Sequence, residues 1–222
     1  MIVYRLHTES ENYQFITKTI IMSILKSITV LILCLFLGYA AQAQAKLGFR
    51  AGVNISKQQF KQGNLDVDPQ SKFGLDLALL SEFELGPMVS LNPELHWMQK
   101  GAKIEDLGGG LGESAQTFNY LEIPVLLKVS FGDAGGVFVF GGPSIGYLFS
   151  ATDKDGDGNT NDIDLDDFNR AELGAHIGAG INAGPVKFDV RYVAGFSNIA
   201  NLEDNDLEVR NSGFGAGIGF MF

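Results

Sequence analysis

From Lys46 onward the chain alternates apolar and polar residues with a period of two, and almost no segment follows the 3.6-residue period of a helix. Eight such segments can be counted. KLGFRAGVNI puts Leu47, Phe49, Ala51, Val53 and Ile55 on one face, with Arg50 and Asn54 on the other. KFGLDLALLSEFEL sets Phe73, Leu75, Leu77, Leu79, Phe83 and Leu85 against Asp76, Glu82 and Glu84. MVSLNPELHWMQK sets Val89, Leu91, Leu95 and Trp97 against Ser90, Asn92, Glu94, His96 and Lys100. FNYLEIPVLLKVSF sets Leu121, Ile123, Val125, Leu127 and Val129 against Tyr120, Glu122 and Lys128. VFVFGGPSIGYLFS is apolar on both faces and leaves its phase open. RAELGAHIGAGINA opposes Leu173, Ala175, Ile177, Ala179 and Ile181 to Arg170, Glu172, His176 and Asn182. VKFDVRYVAGF opposes Val186, Phe188, Val190 and Tyr192 to Lys187, Asp189 and Arg191. GFGAGIGFMF ends the chain with Phe214, Ala216, Ile218, Phe220 and Phe222 on one side and glycines on the other.

The connections alternate in length. Gly86-Pro87, the stretch GDAGG and Ala183-Gly184-Pro185 are tight turns. The connections between them are polar stretches of roughly 10 to 18 residues, beyond the hairpin range. Short turns at one end and long loops at the other predict an all-β, eight-stranded antiparallel up-and-down transmembrane β-barrel with short periplasmic turns and longer extracellular loops.

The polar faces decide which side is inside. They carry seven acids (Asp76, Glu82, Glu84, Glu94, Glu122, Glu172, Asp189) and six bases (Arg50, Lys100, Lys128, Arg170, Lys187, Arg191), the near-balance a desolvated interior requires. Glycine numbers 28 of 222 residues, well above a usual share of roughly 7%. Small residues on the polar face suit eight strands crowding a narrow lumen. The apolar faces then meet outer-membrane lipid, and the closing Phe222 resembles the signal by which barrel-insertion machinery recognises such proteins. Trp97, Tyr120, Tyr147, Tyr192 and Phe196 are candidates for interfacial aromatic girdles.

Before Lys46 the chain carries a different pattern. From Met22 it reads MSILKSITVLILCLFLGYAAQAQA, with Lys26, an apolar run from Ile28 to Leu37, and small residues at Ala41, Ala43 and Ala45. This predicts a signal-peptide region over 1–45, with Met22 a candidate start, and a barrel domain over 46–222 delivered to the outer membrane by way of the periplasm. The apolar run is short for a spanning helix. The single cysteine, Cys34, lies within it, so disulfides are not expected to hold the barrel. Sixteen Lys plus Arg against 26 Asp plus Glu, a net charge of -10, argue against a nucleic-acid partner.

LNPELHWMQKGAK (91–103), FNYLEIPVLLK (118–128), FVFGGPSIGYL (138–148), LGAHIGAGINAGPVKFDVRYVAGFSNI (173–199) and FGAGIGFMF resemble the outer-membrane β-barrel family often called PorT-like or porin-family proteins. The resemblance spans Lys46 to Phe222. It implies an eight-stranded barrel in the outer membrane. It implies no single activity, although the founding member is linked to protein secretion.

Candidate chemistry is sparse. His96 with Glu94 and Glu122, and His176 with Glu172, are candidate acid-base groups, but spacing alone puts no serine beside either histidine, and covalent catalysis needs nucleophile and base within hydrogen-bond reach. Glu94 and Glu122 read as interior anchors, with Arg191 and Lys128 as candidate partners. The expectation is a non-enzymatic barrel whose exposed loops bind a ligand the sequence does not specify, or support the envelope. The alternatives are a narrow porin-like channel, a secretion-associated barrel and a lipid-modifying enzyme. Eight strands leave a lumen that side chains fill, whereas porins proper use about sixteen.

One stretch, DKDGDGNTNDID (153–164), matches the opening of a calcium loop. The candidate ligands are Asp153, Asp155, Asp157, Asn159 and Asp164, with Asp164 where the usual loop has Glu and Thr160 where it has an apolar residue. No amphipathic helix flanks it, which excludes an EF-hand. Two readings remain for this exposed acidic loop, which also holds Asp162, Asp166 and Asp167: a merely solvated loop, the reading favoured, or low-affinity Ca²⁺ binding, with no cofactor otherwise required.

Overall fold

The structure is a computed structural model that describes residues 45–62, 65–67, 70–104, 114–132, 136–155, 159–166, 168–199 and 207–222. Residues 1–44, including Lys26, Cys34, Ala41 and Ala43 of the expected signal-peptide region, lie outside the described residues, as do Asp157 and Asp167. Every regular element among the described residues is a strand: β1 (Lys46–Gln62), β2 (Leu65–Val67), β3 (Gln70–Glu84), β4 (Val89–Ile104), β5 (Ser114–Phe131), β6 (Val137–Lys154), β7 (Thr160–Asp162), β8 (Ala171–Ala183), β9 (Val186–Gly195) and β10 (Leu207–Met221).

Eight of these form the predicted barrel, in the order β1-β3-β4-β5-β6-β8-β9-β10, all antiparallel. The ring closes where β10 returns to β1. Leu47 N donates to Phe222 O at 3.2 Å and Phe222 N donates to Leu47 O at 2.8 Å. Closure leaves no unpaired sheet edge in lipid, where water cannot satisfy backbone groups. The two three-residue strands are additions to the eight segments: β2 pairs with the end of β1, and β7 with the end of β6. Followed round the ring from Gly48 through Leu80, Ser144 and Gly174, the register returns to β1 at Gln58, a stagger of about ten residues. Eight strands so staggered enclose an interior that side chains alone can fill.

The alternation has the predicted sense. Leu79, Ile177, Val190 and Phe214 stand outward and exposed, while Arg50, Asp76, Glu94, His96, Glu122, Glu172, His176 and Arg191 are buried. The phase of the fifth segment, open in the sequence, is resolved: Phe138, Phe140, Ser144 and Leu148 point inward, and Val139, Ile145 and Tyr147 outward. Pairing of β8 with β6 sets this phase, placing Gly178 against Phe140 and Gly180 against Phe138. A Cβ at Gly178 would sit 2.3 Å from Phe140 Cζ, and one at Gly180 equally close to Phe138 Cζ. Gly217 makes the same room for Arg50, whose Cζ would lie 2.4 Å from an added Cβ. The glycine-rich polar faces therefore accommodate large side chains projecting from neighbouring strands.

Three expectations need correction. Glu84 and Arg170 are not interior charges: Glu84 is exposed and bonds Lys46 at 2.6 Å, and Arg170 precedes β8 and bonds the exposed Asp166 at 3.3 Å. Both sit where a strand ends and the inward-outward rule lapses. Tyr120 is not a girdle residue; it is fully buried in the lumen, because it shares parity with Glu122 on β5. Tyr147, Tyr192 and Phe196 do face outward.

The turn between β8 and β9 is two residues long. Gly184 takes φ +64°, and the Pro185 ring holds its φ near about −65°. That sign order is the one a type II′ hairpin turn uses to match strand twist.

Candidate functional site

The lumen is filled by stacked layers of side chains. In the middle layer six of them form a closed ring. Arg50 on β1 grips Asp189 on β9 with two bonds, Nε to Oδ2 at 2.8 Å and Nη2 to Oδ1 at 3.0 Å. Its Nη1 reaches Asp76 on β3 at 2.5 Å. Asp76 Oδ1 meets His96 Nδ1 at 2.6 Å, and His96 Nε2 meets Glu94 Oε2 at 2.7 Å. Arg191 donates from Nη1 to Glu94 Oε2 at 3.0 Å and from Nε to Asp189 Oδ1 at 2.9 Å, returning to the start. Both ring nitrogens of His96 face carboxylate oxygens, which only accept when ionised, so this geometry suits a ring carrying both protons. The two arginines and that histidine then match the three carboxylates.

Toward the long loops lies a second layer. His176 Nε2 bonds Glu122 Oε1 at 2.8 Å, and Lys100 lies 3.1 Å from Glu122 and 3.3 Å from Glu172. Asn211 donates to Glu172 Oε2 at 3.0 Å and to the Tyr120 hydroxyl at 3.3 Å. Lys100 Nζ also lies 4.7 Å over the Tyr120 ring. The His96 and His176 rings are 5.8 Å apart and join the two layers.

At the short-turn end Lys128 contacts Glu82 at 2.5 Å and Lys187 contacts the same carboxylate at 3.6 Å. Asn92, itself accepting from Ser90 at 2.9 Å, donates to Glu82 at 3.4 Å. Here cations exceed carboxylates by one, in the upper layer the two carboxylates exceed Lys100 by one, and with His96 counted as charged and His176 as neutral the buried charges among the described residues balance. Neutrality matters because a buried charge left without a partner costs several kcal/mol.

Of the two candidate cations for Glu94 and Glu122, Arg191 is the one that bonds Glu94. Lys128 does not serve Glu94 or Glu122; it lies lower and serves Glu82. The expected His176 with Glu172 grouping is also corrected: His176 bonds Glu122 across the lumen, while Glu172 is taken by Lys100 and Asn211. His96 bonds Asp76 and Glu94, although Glu122 is its register partner on β5. Partners across a barrel depend on stagger and side-chain reach, and alternation carries neither.

At the long-loop mouth the described residues include a feature that the sequence reading missed. Phe118, Tyr120, Leu148 and Ala151 form an apolar cluster at the top of the lumen, and Ile163, Leu165 and Phe168 pack onto it from the connection between β6 and β8. Phe168 meets Phe118 edge-on at 5.4 Å. Ile163 N donates to Ala151 O at 3.0 Å and Asn169 N to Ile199 O at 2.9 Å, anchoring this cap on both sides. The signal was present in DIDLD: Ile163 and Leu165 alternate with Asp162, Asp164 and Asp166, and the acids face outward. Within the lumen a cavity beside Arg50, Glu94, Phe140 and Arg191 measures about 10 Å³, room for one water.

The arms of a hairpin, the end of β6 and β7, pair Asp153 with Asn161 and Lys154 with Thr160, and residues 156–158 lie outside the described residues. Asp155 accepts from Asn159 N at 2.8 Å and from Asn159 Nδ2 at 3.2 Å. Asp164 lies beyond the hairpin on the cap and accepts from Asp166 N at 3.1 Å. Among the described residues no group of three or more His, Cys, Asp or Glu is arranged to hold a metal ion; Asp157 is outside those residues.

Residues 40–201 match the family described as outer membrane protein beta-barrel domain. No curated protein matches the chain. Solved structures similar to it include Ail, the attachment invasion locus protein of Yersinia pestis, at 14% identity and TM-score 0.43, covering 80% of this chain and 99% of that one. OprG from Pseudomonas aeruginosa is similar at 12% identity and TM-score 0.46, covering 81% and 97%. Neisserial surface protein A is similar at 13% identity and TM-score 0.43, covering 78% and 97%. With the family match spanning most of an eight-stranded, apolar-outside barrel, the chain belongs to the outer membrane protein beta-barrel domain family and resides in the outer membrane.

Proposed function

We propose that the protein is a sealed, non-enzymatic outer-membrane barrel whose working surface is its long loops, which bind an external ligand or brace the envelope. The observation that carries this reading is the continuity of the plug: a salt-bridged lumen from Glu82 to Glu172, topped by the apolar cap of Ile163, Leu165 and Phe168. Among the described residues this packing supports a filled lumen over a solute path or an internal substrate cleft. His176 and Ser144 share the inner face, but both are buried inside the barrel wall, away from lipid. Mass spectra of lipid A and phospholipid from cells overproducing the protein test the non-enzymatic part. Unchanged lipids are expected; a new acylated or deacylated species would refute it.

A second reading, a narrow gated channel, is favoured by one observation. The cap is a short loop segment resting on the mouth, so its displacement would uncover the upper lumen. Conductance measurements separate the two readings. Insertion is assigned to recognition of the C-terminal strand ending in Phe222, and the acidic hairpin to weak, millimolar association with Ca²⁺. A link to secretion rests on the family resemblance alone, and a complex recovered with secretion components would support it.

A further inference from the structure

At the short-turn mouth lies an open cavity of about 370 Å³, lined by Lys46, Lys128, Lys187, Glu82, Ser130 and Asn182 among others. Its size lies in the range of small-molecule sites. Its charge arrangement is unequal. Lys46 has Glu84 to itself, whereas Lys128 and Lys187 share Glu82, which also accepts from Asn92. Each ammonium carries three N–H donors. Lys128 and Lys187 lie 5.3 and 5.4 Å from the centre of the Phe138 ring, an apolar floor that offers no oxygen acceptor. Two nearly buried cations are thus held at a wet mouth with one carboxylate between them, beside the hydroxyls of Ser90 and Ser130 and the amide of Asn182.

We propose that this cavity binds a small multivalent oxyanion from the periplasm, with Lys128 and Lys187 as its cationic clamp and Glu82 as the internal competitor the ligand partly displaces. The chemistry required is a compact group with two or more anionic oxygens, because one ligand oxygen must meet each ammonium. Lys46 at the rim is neutralised by Glu84 and leaves the clamp to Lys128 and Lys187.

The test uses inorganic phosphate and, separately, citrate, titrated into the protein in detergent micelles and followed by amide resonances of Ser90, Ser130 and Asn182. Saturating shifts confined to this mouth are expected, with no equivalent response to chloride at matched ionic strength. Lys187→Gln weakens binding about tenfold, and Glu82→Gln tightens it by about the same factor, since it removes the competitor. Should Lys187→Gln fail to form a barrel, the direction of the Glu82→Gln change decides alone. No saturable shift by about 50 mM of either anion overturns the proposal. So does a chloride response of equal size, or weaker binding in Glu82→Gln.

Discussion

Arg191 on β9 reaches across the lumen to Glu94 on β4, Nη1 to Oε2 at 3.0 Å, and the same guanidinium holds its neighbour Asp189 at 2.9 Å. This pair spans the barrel and completes the ring through Arg50, Asp76 and His96. Replacing Arg191 by Met leaves two buried carboxylates short of a cation and is expected to cost about 3–5 kcal/mol in reversible unfolding. Adding Glu94→Met recovers part of that loss. Additive effects would show that the two side chains do not interact.

Gly178→Ala sets a methyl 2.3 Å from Phe140 Cζ, a contact that requires one of them to move. Overpacking of this kind costs about 1–3 kcal/mol. Phe140→Leu relieves the contact with the ring but not the similarly close one with the Val190 backbone oxygen, so the double variant is expected to recover only part of the loss in Gly178→Ala, as urea midpoints in the same vesicles would show.

Ile177 and Val190 face outward at 64% and 61% exposure, and lipid covers them in the membrane. Val190→Lys is expected to destabilise the inserted barrel by about 2–4 kcal/mol if it lies near the bilayer midplane. Ser130→Lys, at the short-turn cavity, is expected to cost far less by the same measurement. Equal costs would contradict the assignment of faces.

The cap predicts a change in access. In a Cys34→Ser background, Ala151→Cys is buried beneath Ile163 and Phe168 and is expected to react slowly with a water-soluble maleimide. Combining it with Phe168→Ala speeds that reaction. Equal rates would show that the connection between β6 and β8 does not cover the mouth.

Much of this architecture is legible in the sequence because a membrane barrel obeys one strict rule, apolar outward and polar inward with period two. Val186 to Tyr192 follows it without exception, and Glu94 and Arg191 could both be placed in the lumen, although which cation serves which carboxylate could not be read before the register was known. The rule weakens where its assumptions stop. Glu84 and Arg170 sit at strand ends, and the segment from Val137 to Ser150 is apolar on both faces because the lumen itself contains Phe138, Phe140 and Leu148. Pairing across the lumen needs the stagger, which shifts again at irregularities between Ser71 and Asp76 and between Asn119 and Tyr120. The cap was hidden for another reason: Ile163 and Leu165 lie in a stretch whose aspartates invite a calcium reading, and their alternation is too short to stand out.

Calorimetric titration of Ca²⁺ is expected to show weak, millimolar binding that disappears when Asp153 and Asp157 are changed to Ala. Identical heats from both proteins would leave the hairpin as a solvated acidic rim.

On the proposed reading the barrel is closed along its length. Purified protein inserted into planar lipid bilayers, with insertion verified independently, tests it most directly through single-channel recording. The filled lumen predicts a flat current with no discrete steps across the applied voltage range. Reproducible unitary steps from the wild-type protein would contradict it.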